Sequence, residues 1–294
     1  MTPTREDALL FDCEGQALPG ILSGPGAGQA PSGIGVIVVV GGPQYRAGSH
    51  RQFVLLARAL AAHGHHCLRF DYRGMGDGQG PARDFESTRE DIGAAIAALR
   101  RQVPELRRIV LWGLCDGASA SLLHLVQGQA AVDGLCLLNP WVRSDDSLAK
   151  TQVKHYYAQR LRQKEFWLKL LRGGTGLAAL REFLAKLRTV ATRPAKAVAG
   201  PLPYQGRMAA AWRAFPGPIL LLLSGDDLVA KEFQDHVAAD AAWAGLLDRP
   251  GLTRHDLPGI DHTFSSAAWR AEAERLCLAW LDRAFAQPNP NGAP

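Results

Sequence analysis

The chain has 294 residues, 47% of them hydrophobic and 21% charged, with a formal net charge of +5; this is an ordinary globular composition and excludes disorder as the dominant state. Its longest apolar runs, PILLLL and GIGVIVVV, are strand-sized and well short of the roughly 20 residues that a membrane-spanning helix needs, and the opening MTPTREDALLF has no secretory pattern, so a cytoplasmic protein is expected. Cysteines at 13, 67, 115, 136 and 277 are odd in number and lack a CxxC pair, which argues against a disulfide framework or a cysteine zinc site.

In chain order, LLFDCEGQALPGILSG reads as a hairpin, followed by a Gly/Pro/Ala-rich loop from Gly24 to Gly33. Gly35 to Val40 is a continuous β-branched run, the pattern of a strand covered on both faces, and it ends at GGPQYRAGSHR. Phe53, Leu56, Ala57 and Leu60 then recur at helical spacing up to Gly64. HHCLRF is the next strand and DYRGMGDGQG a glycine-rich loop. A helix through STREDIGAAIAALRRQVPEL is expected, with a capping box from Ser87 to Glu90. Strand Arg108 to Trp112, the turn GLCDG, helix Ala118 to Val126 and strand Val132 to Leu138 continue the alternation. Such repetition of strand and helix predicts an α/β fold with a mostly parallel central sheet and helices on both faces, and it places catalytic groups on loops at the carboxyl ends of the strands.

From 144 to 216 the alternation stops and two amphipathic helices rich in basic residues are expected, a helical lid or cap inserted between a first core part, 1–143, and a second, 217–286. Between Arg143 and Arg213 there are 15 Lys/Arg against four Asp/Glu, a local charge of +11 that leaves −6 for the rest of the chain. An anionic substrate, an acyl-carrier phosphate or an anionic membrane surface would meet that stretch first; the plain alternative is a solvated helix pair that only shields a pocket. Strand Pro218 to Ser224, a helix from Phe233 to Leu246, strand Thr253 to Leu257 and a helix from Ser265 to Ala284 complete the body, and 287–294 is a proline-rich tail.

The chemistry concentrates in RRIVLWGLCDGASASLLHLV, where Gly113 and Gly117 flank Cys115 between an apolar strand and a helix. A nucleophile on a tight strand-to-helix turn needs small neighbours two positions away, because the backbone doubles back on itself there. The helix amino terminus favours a thiolate through its dipole and its unpaired amides. Cys67, Cys136 and Cys277 lie in apolar segments and read as small buried hydrophobes.

Asp226 and Asp227 follow one strand end and His262 follows the last strand, giving the chain order nucleophile, acid, histidine. An imidazole accepts the thiol proton and returns it to a leaving group, while a carboxylate fixes the other ring nitrogen. Asp227 is favoured for that task with Asp226 its rival; Asp261 reads as a loop residue. An oxyanion hole would use the amide of Asp116 and one from the GGPQYR loop, where Pro43 has none, so Gln44 is the candidate with Gly42 behind it. Arg46 and Arg51 would bind a substrate carboxylate or phosphate, or else pair internally with Asp71 or Asp77, the favoured use. His63, His65 and His66 lack a carboxylate context and read as surface turn residues; no metal and no cofactor is expected. Nucleic acid is disfavoured as a partner, since no aromatic stacking array or reading motif accompanies the positive charge.

These motifs resemble the α/β-hydrolase superfamily over essentially the whole chain. GGPQYRAGSHRQFVLLARAL, LRFDYRGMGDG, WGLCDGASA, LLNPW and GIDHTFS resemble more narrowly the exosortase A system-associated hydrolase type 1 group, found in bacteria that combine exopolysaccharide production with sorting of proteins by a short carboxy-terminal signal. The resemblance implies Cys115 as nucleophile, His262 as base, Asp227 as acid, and a hole at Asp116 and the loop around Gln44. Many relatives carry serine at the elbow and His-Gly where this chain has Gly41-Gly42, so lipase activity is not inherited with the pattern. Cysteine at the elbow is similar to dienelactone hydrolases and polyester synthases. The expected function is therefore hydrolysis of an ester or thioester through an acyl-cysteine, on a small-molecule or carrier-bound acyl substrate. Acyl transfer from the same site and an inactive scaffold or carrier are the alternatives. The acyl group, its acceptor and the oligomeric state are not legible.

Overall fold

In the computed structural model the described residues are 4–42, 44–127, 132–143 and 202–286. One sheet of eight strands organises them: β1 (Arg5–Cys13), β2 (Gln16–Gly24), β3 (Ile34–Val39), β4 (His66–Phe70), β5 (Arg108–Leu114), β6 (Gly134–Leu138), β7 (Ile219–Ser224) and β8 (Leu252–Leu257). Their order across the sheet is β1-β2-β4-β3-β5-β6-β7-β8. The first two strands form the expected hairpin, turned by Glu14 and Gly15 at positive φ, and β2 pairs antiparallel with β4. All later pairings are parallel.

Burial follows sheet position. Every residue of β3, β6 and β7 is buried, as continuous apolar runs between two helical layers must be. At the edges, β1 and β8 alternate between exposed and covered residues. The helices are α1 (Gln52–Ala62), α2 (Arg89–Gln102), α3 (Asp116–His124), α4 (Tyr204–Ala214), α5 (Leu228–Ala239) and α6 (Ala267–Ala284). In α1 the spacing of Phe53, Leu56, Ala57 and Leu60 puts all four in the core, and covering Phe53 and Leu60 completely contributes about 1.5–3 kcal/mol each.

Several local expectations are corrected by packing. The capping box is not made: Thr88 is the N-cap of α2 but its hydroxyl donates to Phe85 O at 3.1 Å instead of capping the helix, and the Ser87 hydroxyl donates to Asp84 Oδ1 at 2.7 Å. The helix expected from Phe233 begins five residues earlier, because Asp227 caps it. His65 is buried rather than a surface residue, with Nδ1 2.7 Å from the Ser32 hydroxyl.

The main body comprises Met1–Val142 and Pro203–Pro294; Arg143–Leu202 is a separate unit. Residues 144–201, most of the expected lid, lie outside the described residues, as do 287–294. The last part of that expected insertion belongs to the main body, since α4 buries Met208, Ala209 and Trp212 and the Trp212 ring edge meets Trp243. Among the described residues no helix is long and apolar enough to cross a membrane.

One buried ion pair ties the loop after β4 to α2. The Arg73 guanidinium, 1% exposed, donates from Nε to Asp91 Oδ1 (3.0 Å) and from Nη2 to Oδ2 (2.8 Å), and the Arg73 amide donates to the same carboxylate at 2.8 Å. Asp91→Ala leaves that cation buried without its main partner and is expected to cost about 3–5 kcal/mol. Urea unfolding should then show Arg73→Met/Asp91→Leu to be more stable than Asp91→Ala alone.

Candidate active site

The positions singled out in the sequence gather at the carboxyl ends of the parallel strands. β3 and β5 are neighbours in register from Ile34 and Arg108 to Val39 and Gly113, so the Gly41-Gly42 loop and Cys115 leave the sheet side by side. β7 and β8 are neighbours from Ile219 and Leu252 to Ser224 and Leu257, so Asp227 and His262 leave it side by side as well.

Cys115 stands between the end of β5 and the first residue of α3 with φ 62° and ψ −128°, a conformation that costs a non-glycine residue about 1–3 kcal/mol. Its amide donates to Leu138 O of the adjacent strand at 2.9 Å, and its carbonyl accepts from Ala118 and Ser119 of α3 and from Trp141. The residue is partly exposed, while the other four cysteines are buried. Small neighbours are compulsory here: a Cβ on Gly113 would strike the Gly117 carbonyl, one on Gly117 would strike Val39 O, and one on Gly41 would strike Leu114 O. Burial pushes the Cys13 thiol up to about 11 and the Cys67 thiol up to about 12, and raises that of Cys136 as well, so these three are held as thiols.

His262 Nδ1 lies 2.7 Å from Asp227 Oδ2. The same carboxylate caps α5, accepting from Val229 N at 2.9 Å and Ala230 N at 3.4 Å, and Asp227 is 4% exposed. Asp226 instead meets the histidine loop through its backbone, its amide donating to Ile260 O at 3.0 Å. Asp261 holds that loop in shape: its Oδ1 accepts from the amides of Thr263 and Ser265 at 3.1 Å each, and the Ser265 hydroxyl donates to Oδ2. Slight burial pushes its pKa up, but these donors outweigh it and hold the carboxyl below its ordinary range.

The loop after β3 is arranged differently from expectation. The Gln44 amide donates to Gly42 O at 2.8 Å and is thus used within the loop. The Gln44 side chain also braces it, with Nε2 donating to Gly41 O and Oε1 accepting from Ser49. The amide of Gly42, at φ 67°, is directed at the carboxyl of Asp116. Arg46 is engaged internally: its guanidinium binds Asp71 and lies 2.7 Å from Asp77 Oδ2, while its amide donates to Asp71 Oδ1 at 2.6 Å. Arg51 is exposed at φ 60°, at the start of α1.

Asn139, at the end of β6 with φ 45°, was not singled out in the sequence. Fully buried, it donates from Nδ2 to Ser224 Oγ at 3.0 Å and accepts from Ser224 N at 2.8 Å, locking β6 to the strand that carries the acidic pair. Asn before Pro in LLNPW is a turn signal, but its side-chain partner lies 85 residues away.

The profile of the α/β-hydrolase family matches residues 36–275. No curated protein sequence matches the chain. Among solved structures, the esterase Pf2001 of Pyrococcus furiosus superposes with TM-score 0.63 at 15% identity, over 96% of this chain and 94% of its own. A serine hydrolase without lid from Xanthomonas campestris gives 0.59 at 17%, over 97% and 98%. Est1E of Butyrivibrio proteoclasticus, with ferulic acid bound, gives 0.60 at 15%, over 95% and 100%. At such identities the likeness is one of fold.

The double use of Asp227 has a measurable consequence. Asp227→Ala removes a helix cap and is expected to lower stability by about 1 kcal/mol, whereas Asp227→Asn keeps the capping oxygen and recovers most of it. Thermal unfolding of the two variants checks this.

Proposed function

The chain belongs to the α/β-hydrolase family, and from that premise we propose that it cleaves an ester or thioester through a covalent acyl-cysteine on Cys115. It is an enzyme of the esterase-like class with cysteine at the nucleophile-elbow position, after β5 and before α3. The observation that carries the reading is the backbone of Cys115, since φ 62° and ψ −128° on a non-glycine residue hold it on the sharp strand-to-helix turn of a nucleophile elbow, where it stays partly exposed.

With Nδ1–H donating to Asp227, His262 keeps Nε2 as the basic nitrogen. It takes the thiol proton as sulfur bonds to the acyl carbon, and the carbonyl electron pair moves onto oxygen. That oxyanion is held by the amides of Asp116 and Gly42. Collapse expels the alcohol or thiol, which receives the proton from His262. Water, deprotonated by the same ring, then attacks the acyl-cysteine and regenerates the thiol. A thioester suits this nucleophile because the attacking and leaving sulfurs are similar in basicity.

The narrower motif resemblance would place the acyl substrate in an exopolysaccharide and exosortase setting, in the cytoplasm. The charge of 143–213 would favour an anionic or carrier-bound acyl group, or contact with an anionic membrane surface. Turnover of an anionic acyl thioester should then fall with added salt.

Mass spectrometry after incubation with a panel of acyl thioesters and aryl esters tests the core of the proposal. An acyl mass on the Cys115 peptide, absent in Cys115→Ala, and a loss of about 10²-fold or more in turnover for His262→Ala are expected. Full turnover in Cys115→Ala would overturn it.

A further inference from the structure

His262 stands in a loop whose bonds run to β7 and the start of α5: Gly225 N to Leu257 O at 2.8 Å, Asp226 N to Ile260 O at 3.0 Å, and Asp227 to the imidazole. They tie the histidine to β7, which lies two strands away from β5 and the nucleophile it carries. The residues two before and two after the histidine, Ile260 and Phe264, are buried, 6% and 2% exposed, while Asp261, His262 and Thr263 between them remain partly open. The loop is thus fastened into the core at both ends of a short span with the imidazole at its middle.

Phe264 holds an unusual backbone for its type. Its φ is 52°, in the region that glycine enters freely and a bulky residue avoids. Glycine at 264 would make the same turn without strain, so the turn alone does not account for phenylalanine; the ring does. The enclosed ring borders a cavity of about 20 Å³ together with Trp112 of β5, Leu138 of β6, Leu56 of α1, and Ala273 and Cys277 of α6. That space is roughly the size of one water, so the ring is gripped by its surroundings and cannot shift without moving them. Two of those neighbours lead to the nucleophile. Trp112 lies three residues before Cys115 and is met edge-on by Phe53, with 5.6 Å between ring centroids. Leu138 is the residue whose carbonyl accepts the Cys115 amide at 2.9 Å.

We propose that Phe264 is the positioning residue of the base: its ring, enclosed with Trp112 and Leu138, fixes the histidine loop against the strand ends that hold Cys115, and so sets the separation of imidazole and sulfur. Asp227 orients the imidazole through Nδ1, and Phe264 sets how far the loop carries Nε2 toward the thiol. Phe264 touches no substrate and moves no proton. Its strained φ belongs to this task, because the turn sends the ring into the core while the imidazole two residues earlier stays partly exposed. Burial of the ring offsets the strain, so the turn and the anchor hold each other in place. This rests on the acyl-cysteine reading of Cys115 with His262 as its base.

The test compares wild type, Phe264→Ala, Phe264→Gly and Phe264→Leu with Phe11→Ala, which removes a buried ring packed against Phe70 on the far edge strand β1. Two rates are read at a temperature where the proteins are folded: turnover of p-nitrophenyl acetate, and iodoacetamide labelling of Cys115 at neutral pH, in which His262 takes the thiol proton but no acyl group takes part. Phe264→Ala and Phe264→Gly should lose about 10²-fold in kcat with little change in KM, and label as slowly as His262→Ala. Phe264→Leu, a smaller anchor, should lose about ten-fold in kcat. Phe11→Ala should lose comparable thermal stability yet keep wild-type kcat and labelling. Wild-type rates in Phe264→Gly would overturn the proposal, as would equal losses of kcat in Phe11→Ala and Phe264→Ala. If Ala and Gly do not fold, Phe264→Leu decides alone, wild-type rates in it counting against the proposal. A His262→Ala variant that labels at the wild-type rate would remove the base, and this role with it. A wild type that forms no acyl adduct would overturn the acyl-cysteine reading, while the labelling rates would still decide whether Phe264 positions the imidazole.

Discussion

The site depends on one steric constraint, the close approach of the start of α3 to the ends of β3 and β5. Three glycines make that approach achievable, since a single methyl at Gly41, Gly113 or Gly117 would strike backbone atoms of the neighbouring element. The strain at Cys115 follows from the same geometry and is held by hydrogen bonds on both sides of the residue, to Leu138 before it and from Ala118, Ser119 and Trp141 after it. A turn so over-determined fixes the sulfur relative to the amides of Asp116 and Gly42 without help from the cysteine side chain.

The acid and the histidine depend on different physics. Neither stands on a strained turn; both hang from neighbouring parallel strands, and the loops that carry them are joined by Gly225 to Leu257 and Asp226 to Ile260 backbone bonds. Asn139 extends the lock to β6, and so to the strand beside the elbow. Asp227 is immobilised because the carboxylate that receives His262 also terminates a helix. Fold stability and ring orientation are thereby assigned to one side chain.

Polar groups near the elbow fall into two kinds. Asp71, Asp77 and Arg46 form a cluster that shapes the loop after β3, with Arg46 Nη1 bound to both carboxylates. Asp116 stands apart from it: its carboxyl, with Oδ1 covered, turns to the backbone amides of Gly42, Asp116 and Gly117. In a low-dielectric setting a satisfied network of the first kind rigidifies the loop that carries it.

Much of the plan was legible in the sequence. Continuous apolar runs specified the central strands, helical spacing specified α1, and GLCDG between a β-branched strand and a helix specified the elbow, because each is a short-range pattern with its own geometric cause. The capping box at Ser87, the start of α5 and the buried setting of His65 were misread, since caps and burial are decided by whichever partner is nearest in space. The Gln44 amide was misjudged for the same reason: its acceptor, Gly42 O, is set by the path of the loop rather than by composition. The sequence by itself determined which residues can do chemistry and in what order the chain delivers them. Only the tertiary structure decided that Asp227 rather than Asp226 meets His262, and that the Asp116 carboxyl folds against the Gly41-Gly42 loop, because both are outcomes of strand register and close packing between segments far apart in the chain.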